Sequence, residues 1–110
     1  MGLTKTQGFS KSEIEIAEFA KALAHPARIA ILKHLIDAKS CICGDIVDEL
    51  PLSQSTVSQH LKELKNAGLI KGNIEGNAIC YCIDEKTFTK FQKYVGDIFN
   101  KIQKQKNNCC

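Results

Sequence analysis

One amphipathic stretch, "LSQSTVSQHLKELKNAGLI", constrains the fold more than any other part of the chain. Ser53 suits the N-cap of a helix, since its hydroxyl can accept a hydrogen bond from a backbone N–H of the first turn. Val57, Leu61 and Leu64 then recur at helical spacing, and Gly68 suits the left-handed position that ends a helix. The stretch therefore predicts a helix with one apolar face, which must pack on a core.

The opposite face of this helix is polar and combines short hydrogen-bonding side chains with lysines. At about 100° per residue it groups the following candidates for contact with DNA: Gln54, Ser55, Thr56, Ser58, Gln59, Lys62 and Lys65. Gln can address adenine edges and Lys guanine edges, whereas Arg28 is the only arginine, so guanidinium contacts can contribute little. A face that is merely solvated is the alternative interpretation.

Two helices are predicted before this stretch, preceded by a flexible tail over residues 1–11. Ser12 and Glu15 have the spacing of a capping box and predict the start of the first helix. Pro26 suits the first turn of the second, because its missing N–H would be unpaired there anyway. The second helix should run to about Ile36. Its predicted inward residues are Ile29, Leu32, Leu35 and Ile36.

The segment before the polar-faced helix predicts a short strand and a short helix. Residues 40–43 are too few and too β-inclined for a helix and predict a strand. A helix that opens at Gly44 and is stopped by Pro51 should follow. A short helix, a tight turn and a second helix with a polar face are typical of a helix-turn-helix.

A hairpin and a long helix are predicted after the polar-faced helix. Residues 69–74 and 79–83 predict two strands around a glycine-containing turn, in the position of a wing. Asp84 can cap the last helix. The apolar stripe of that helix consists of Phe88, Phe91, Val95, Ile98 and Ile102. Because the helix would also expose Tyr94 and Phe99, we expect it to pair with a second copy of the chain.

The order of these elements predicts a mainly α fold with a small β-hairpin wing, a winged helix-turn-helix of the α+β class. One domain is expected over residues 12–103, with a flexible tail over 104–110, because 110 residues with 44% apolar side chains supply one core and not two. No segment has the apolar length of a membrane span, so we expect a cytoplasmic protein without membrane contact. A net charge of +3 mildly favours a polyanionic partner.

Six cysteines form three close pairs. In a reducing cytosol such pairs indicate metal, metalloid or redox chemistry more than disulfides, and packing as small apolar side chains is the alternative. If the strand at 40–43 pairs with the second wing strand, two of the pairs become neighbours, and the residues of the second pair share one face of their strand. The three pairs are Cys41 with Cys43, Cys80 with Cys82, and Cys109 with Cys110.

Three motifs together resemble the ArsR/SmtB family of winged helix-turn-helix repressors: "HPARIAIL", "LSQSTVSQHLKEL" followed by "AGLI", and the C-x-C of Cys41 and Cys43. The resemblance covers roughly residues 12–100. It implies a homodimer built from the first and last helices, bound to a palindromic double-stranded DNA operator. It also implies release when Cys41 and Cys43 bind a thiophilic ion, which is As(III) or Sb(III), or a divalent ion such as Cd(II) or Zn(II).

The C-x-C is one ligand short by the standard of this resemblance, since As(III) favours three sulfurs. The candidates for an additional ligand are Cys80, Cys82, Cys109 and Cys110. The zinc site that other members carry on the last helix is not expected, because no histidine lies between Phe88 and Cys110.

Other functions compete with ion sensing. The dithiols could sense oxidants or persulfides in a repressor of the same fold. A structural zinc could instead join the first two pairs, Cys41/Cys43 and Cys80/Cys82. An enzyme such as a small arsenate reductase is not expected, because its oxyanion cradle commonly ends in an arginine and Arg28 precedes every cysteine.

Overall fold

The computed structural model describes residues 8–38, 41–43, 50–75 and 78–105. Over these residues the elements follow in the order α1 (Lys11–Leu23), α2 (Pro26–Ala38), β1 (Ile42–Cys43), α3 (Gln54–Asn66), β2 (Ile70–Glu75), β3 (Ala78–Ile83) and α4 (Glu85–Gln105). This order confirms the predicted winged helix-turn-helix. The short helix predicted between Gly44 and Pro51 falls mostly on residues 44–49, which lie outside the described residues.

The N-cap of α1 is Ser10 and not the predicted Ser12. Ser10 Oγ accepts from the backbone N–H of Glu13 at 3.2 Å, and Glu13 Oε1 accepts from the backbone N–H of Ser10 at 2.8 Å. Both serines are followed by glutamate three positions later, so both fit the capping-box pattern. Use of the earlier serine leaves Glu15 inside the helix, where it forms an ion pair with Lys90 of α4.

The second helix begins where predicted, and two of its four predicted inward residues, Leu32 and Leu35, are buried. Ile31, Leu32 and Leu35 are buried, whereas the predicted inward residues Ile29 and Ile36 are 41% and 57% exposed. The helix carries apolar residues on both sides of Leu32, Ile31 on one side and Ile29 and Ile36 on the other. The elements that pack against α2 determine which side is buried. Because α2 packs against α1, α3 and β3, the flank that carries Ile31 is the buried one.

The core lies where the helices meet the inner face of the sheet. Its buried residues are Phe19, Ala22, Ile31, Leu32, Leu35, Val57, Leu61, Leu64, Leu69 and Ile70. Phe19 of α1 meets Phe91 of α4 edge to face with ring centroids 5.3 Å apart, an arrangement that aromatic pairs prefer. As predicted, Ser53 caps α3, and Gly68 follows the helix with a φ of 82°. The chain can therefore turn sharply from α3 into β2.

The three strands form an antiparallel sheet in the order β1-β3-β2. β2 and β3 are the predicted hairpin, and its turn residues 76–77 lie outside the described residues. β1 pairs with β3, the second wing strand, with Ile42 opposite Tyr81 and Cys43 opposite Cys80. The predicted neighbourhood of the first two cysteine pairs is therefore confirmed at the level of the backbone.

The last helix is capped as predicted, since Asp84 Oδ1 accepts from the backbone N–H of Thr87 at 3.3 Å. It continues to Gln105, which was predicted to lie in the C-terminal tail, and residues 106–110 lie outside the described residues. Lys11 was likewise predicted in the N-terminal tail and is the first residue of α1. In both cases the capped helix is longer than the apolar pattern indicated.

The apolar stripe of α4 is covered only in its first half. No residue of this helix is buried, and Ile98, Phe99 and Ile102 are 46%, 60% and 56% exposed. Tyr94, predicted to be exposed, is half-buried, with the Lys90 ammonium 5.9 Å from its ring centroid. Within the described ranges, no helix has the length and apolar character to cross a membrane.

Candidate nucleic-acid interface and thiol pair

The exposed face of α3 carries an unbroken set of polar side chains. Core packing fixes its direction, because Val57, Leu61 and Leu64 on the opposite face are buried. All of the residues predicted to contact DNA are exposed: Gln54, Ser55, Thr56, Ser58, Gln59, Lys62 and Lys65. The structure thus presents them together, and their contact with DNA stays a prediction.

Two residues of this face are held by local hydrogen bonds. The Thr56 N–H donates to Ser53 Oγ at 3.3 Å, and its hydroxyl lies 2.9 Å from the same oxygen, so Thr56 contributes to the helix cap. Gln59 Nε2 donates to Glu63 Oε1 at 3.1 Å, one turn further along. The Gln59 amide is thereby oriented along the exposed face, which reduces the side-chain entropy lost on binding a base edge.

The single arginine fastens α3 to the two preceding helices. Arg28 Nε donates to His60 Nδ1 at 3.1 Å, and Arg28 Nη1 donates to the carbonyl oxygen of Ala22 at 3.1 Å. His60 is only 8% exposed, and its ring lies 4.4 Å from that of His25. His25 Nδ1 in turn accepts from the backbone N–H of Ala27 at the start of α2. His60 is therefore a structural residue that joins α3 to α2 through Arg28.

This contact predicts a loss of stability in acid. Burial, together with the positive neighbours His25 and Arg28, holds the pKa of His60 below its ordinary value of 6.5. The unfolded chain therefore binds a proton at higher pH than the folded chain. The stability contributed by neutral, buried His60 is fully present above about pH 6.5. It decreases as the pH drops toward the lowered pKa. We expect the melting temperature to fall between about pH 7.5 and 5.5, and to fall less in His60→Gln.

Glutamine is the matched variant for this measurement because its amide oxygen can accept from Arg28 Nε without titrating. An acid-induced shift of equal size in wild type and His60→Gln, followed by circular dichroism at constant ionic strength, would contradict this role of His60.

The sheet separates its side chains into a core face and an outer face. Ile70, Tyr81 and Ile83 pack on the core, so the alternate residues of β3, Cys80 and Cys82, belong to the outer face. In β2 the register places Lys71 opposite Cys82 and Asn73 opposite Cys80. Cys80 is nonetheless buried, at 1% exposed. It is also disulfide-bonded.

On this outer face the structure joins Cys41 to Cys82 in a disulfide, and we call these two residues the thiol pair. Their Cα atoms are 4.4 Å apart, the separation typical of directly opposed residues in a non-hydrogen-bonded antiparallel pair. Cys41 is exposed and Cys82 is half-buried. Reaction partners in solution would therefore meet Cys41 first.

The pairing differs from what the sequence emphasised. The predicted site combined Cys41 with Cys43, its neighbour but one in the chain, whereas Cys82, ranked as an additional ligand, supplies the sulfur next to Cys41. The side chain of Cys43 and both residues Cys109 and Cys110 lie outside the described residues. Among the side chains that are described, no group of three or more His, Cys, Asp or Glu is disposed to hold a metal ion.

The sequence is similar to known regulators of transcription. The profile of the family described as "Bacterial regulatory protein, arsR family" matches residues 25–71. A relative from Methanocaldococcus jannaschii, named uncharacterized HTH-type transcriptional regulator MJ1325, is 40% identical over 83 residues, or 74% of this chain and 92% of that protein. The HTH-type transcriptional repressor SmtB of Mycobacterium tuberculosis is 44% identical over 64 residues, or 58% of this chain. The match spans about half of SmtB, at 47% of its length.

A solved structure agrees as well. The ArsR-like transcriptional regulator from Rhodococcus sp. RHA1 superposes with a TM-score of 0.75 and 21% identity over 90% of this chain and 92% of that one, which shows a shared fold. A polar-faced helix followed by an antiparallel wing defines the winged helix-turn-helix regulators of transcription. Within that class, the chain belongs to the ArsR/SmtB family of transcriptional regulators. Its relatives are named regulators and not enzymes, which confirms the prediction that it is not an enzyme.

Proposed function

We propose that two copies of this chain bind a palindromic operator and leave it when trivalent arsenic or antimony is captured by the thiols of Cys41 and Cys82. One observation carries the proposal. The two sulfurs meet on the outer face of the sheet, between the strand that leads into α3 and the strand that forms the wing. An ion bound there would connect the segment of chain that leads to α3 with β3 of the wing.

Operator recognition would depend on the exposed face of α3. Gln59 presents an oriented amide, which suits an adenine edge, and Lys62 presents an ammonium one turn from Ser58, which suits a guanine edge. Ser55 can donate to or accept from either base. Gln54 and Lys65, at the two ends of this face, are placed for backbone phosphates, whose contribution to affinity falls as salt is added.

The homodimer is supported by the uncovered apolar part of α4. Ile98, Phe99 and Ile102 stay exposed in the single chain, along the half of the helix that contacts little of its own domain. Beside them runs a cleft between α1 and α4 that is lined partly by Ile16 and Tyr94. A second copy that covers this surface would bury apolar area along two helices, which favours association. It would also supply the two recognition helices that a palindrome requires.

The donor set of the thiol pair suits soft ions. Thiolates select ions of this class, and Cys41 and Cys82 would hold the ion between β1 and β3. A third sulfur would come from Cys80, two residues from Cys82 on the same face, or from Cys43, opposite Cys80 in the register. Cd(II) and Zn(II) share the preference for thiolates and remain alternatives to the trivalent ions.

Release would follow from the connection between β1 and α3. β1 has two residues and leads through residues 44–52 to the capped start of α3, while β3 belongs to the wing. An ion that bridges Cys41 and Cys82 would restrain the position of α3 relative to the wing. A coupling free energy of about 1–3 kcal/mol lowers operator affinity by about 5- to 150-fold.

A titration of operator affinity tests this proposal. Reduced protein is titrated onto a fluorescent fragment of its own promoter at fixed salt, with arsenite, antimonite, cadmium or zinc, and fluorescence anisotropy gives the Kd. We expect arsenite and antimonite to raise the Kd by at least about 5-fold. An unchanged Kd with both would contradict the metalloid inducer, and release by cadmium or zinc alone would assign the site to a divalent ion instead.

A further inference from the structure

We propose that Cys41 and Cys82 also form an oxidant-responsive switch, in which a peroxide converts the thiol pair to a disulfide and lowers operator affinity without any metal ion. This inference rests on the proposed function, because it assigns a second chemical input to the same two sulfurs. The two inputs differ chemically: the inducer is an ion that the sulfurs bind, whereas here an oxidant is consumed and a disulfide bond forms.

The geometry supports a fast and specific reaction between these two cysteines. Cys41 directly precedes β1 and Cys82 lies on β3; their Cα atoms are 4.4 Å apart, and the fold already accommodates the bond between them. Their separation of 41 positions in the chain makes the pairing a property of the folded sheet and not of local sequence. In the unfolded chain the same encounter would require closing a long loop.

The difference in exposure assigns a role to each sulfur. Cys41 is exposed and Cys82 is half-buried, so Cys41 is the first target of a dissolved oxidant and Cys82 the resolving residue. This combination of an accessible cysteine with a neighbouring resolving cysteine is typical of redox sensors. Cys80, on the same face, is 1% exposed and is shielded from direct attack.

The reaction balances with hydrogen peroxide as the oxidant. The Cys41 thiolate attacks one peroxide oxygen, the O–O bond breaks, and Cys41 becomes a sulfenic acid while the other oxygen leaves as water after taking up a proton. The Cys82 thiolate then attacks the sulfenic sulfur, the S–S bond forms, and the hydroxyl group leaves as a second water. Overall two thiols are oxidised by two electrons, and one peroxide is reduced to two waters.

The disulfide would reproduce the mechanical effect of the inducer. Both an ion and a disulfide connect β1 to β3 through the same two side chains, and both therefore restrain the approach of the chain to α3. β1 itself is a two-residue strand, which pairs with β3 at Ile42–Tyr81 and Cys43–Cys80. We expect oxidation to raise the operator Kd by at least about 5-fold, the lower end of typical allosteric couplings.

The test compares reduced and peroxide-treated full-length protein after removal of metal ions with a chelator. Peptide mapping without reductant should find Cys41 linked to Cys82, the operator Kd should rise, and dithiothreitol should restore it. Cys109→Ser/Cys110→Ser should behave as wild type, whereas Cys41→Ser/Cys82→Ser should keep its Kd after peroxide. Absence of the Cys41–Cys82 link, or an oxidised wild type with the Kd of the reduced protein, would overturn the inference.

The same samples separate this inference from the proposed function. Release by arsenite, with no link between Cys41 and Cys82 after peroxide, would overturn the switch and support the metalloid inducer. Release by peroxide with the link present, but no response to arsenite, would support the switch and contradict the metalloid inducer.

Discussion

Replacing Ser55, Gln59 and Lys62 together by alanine is expected to lower operator affinity by at least about 100-fold. A well-formed contact between a side chain and a base edge contributes about 1–3 kcal/mol of discrimination, and the dimer would present each residue twice. All three side chains are exposed, and alanine favours the helix, so the fold of α3 should survive the change. The loss would then report contacts with DNA and not unfolding.

Lys33→Ala is the matched control, since Lys33 is an exposed basic residue on α2. It removes one positive charge per chain, as the triple variant does, but none of the polar face of α3. Anisotropy at a single salt concentration should show a small effect for Lys33→Ala, and circular dichroism should show equal helicity in all three proteins. Equal operator affinities of the triple variant and Lys33→Ala would contradict the proposal that α3 contacts the DNA bases.

Leu64→Ala is expected to destabilise the protein by about 2–5 kcal/mol. The Leu64 side chain is fully buried and packs in the core cluster shared by α1, α2 and the start of β2. Its removal loses apolar burial and leaves a cavity among elements that are fixed from several sides. Since such a loss is a large part of the stability of a small domain, a substantial unfolded fraction is expected at 37 °C.

Urea unfolding at one fixed protein concentration measures this effect, because association of two chains would make stability depend on concentration. Ser58→Ala, an exposed change in the same helix, should alter the free energy of unfolding by no more than about 0.5 kcal/mol. A loss below about 1 kcal/mol for Leu64→Ala would contradict this expectation and would show that the site collapses around the smaller side chain.

The features that the sequence predicted best are those with a local cause. Ser53 and Gly68 mark the two ends of α3 by their own chemistry, and Asp84 marks the start of α4 in the same way. Where two positions carried the same local signal, as at the start of α1, the predicted N-cap was wrong. Ser10 and Ser12 both fit a capping box; the structure uses Ser10, and Glu15 pairs instead with Lys90 of α4.

Features set by contacts between distant elements could be predicted only in part. Strand alternation placed Cys80 and Cys82 on one face, but the partner of Cys41 depends on the register between β1 and β3. The arginine contact to His60 links residues 32 positions apart and leaves no periodic trace in the sequence. Its one available signal was that Arg28 is the single guanidinium in a lysine-rich chain, which indicates a structural use as readily as a nucleic-acid contact.

The measurement that tests the central claim most directly is the ratio of operator Kd with arsenite to operator Kd without it, in three reduced proteins. These are the wild type, Cys41→Ser/Cys82→Ser and, as a control with the same two changes elsewhere, Cys109→Ser/Cys110→Ser. We predict a ratio of at least about 5 for the wild type and the control, and a ratio near 1 for Cys41→Ser/Cys82→Ser. An arsenite response of wild-type size in Cys41→Ser/Cys82→Ser would contradict the assignment of the inducer site to the thiol pair.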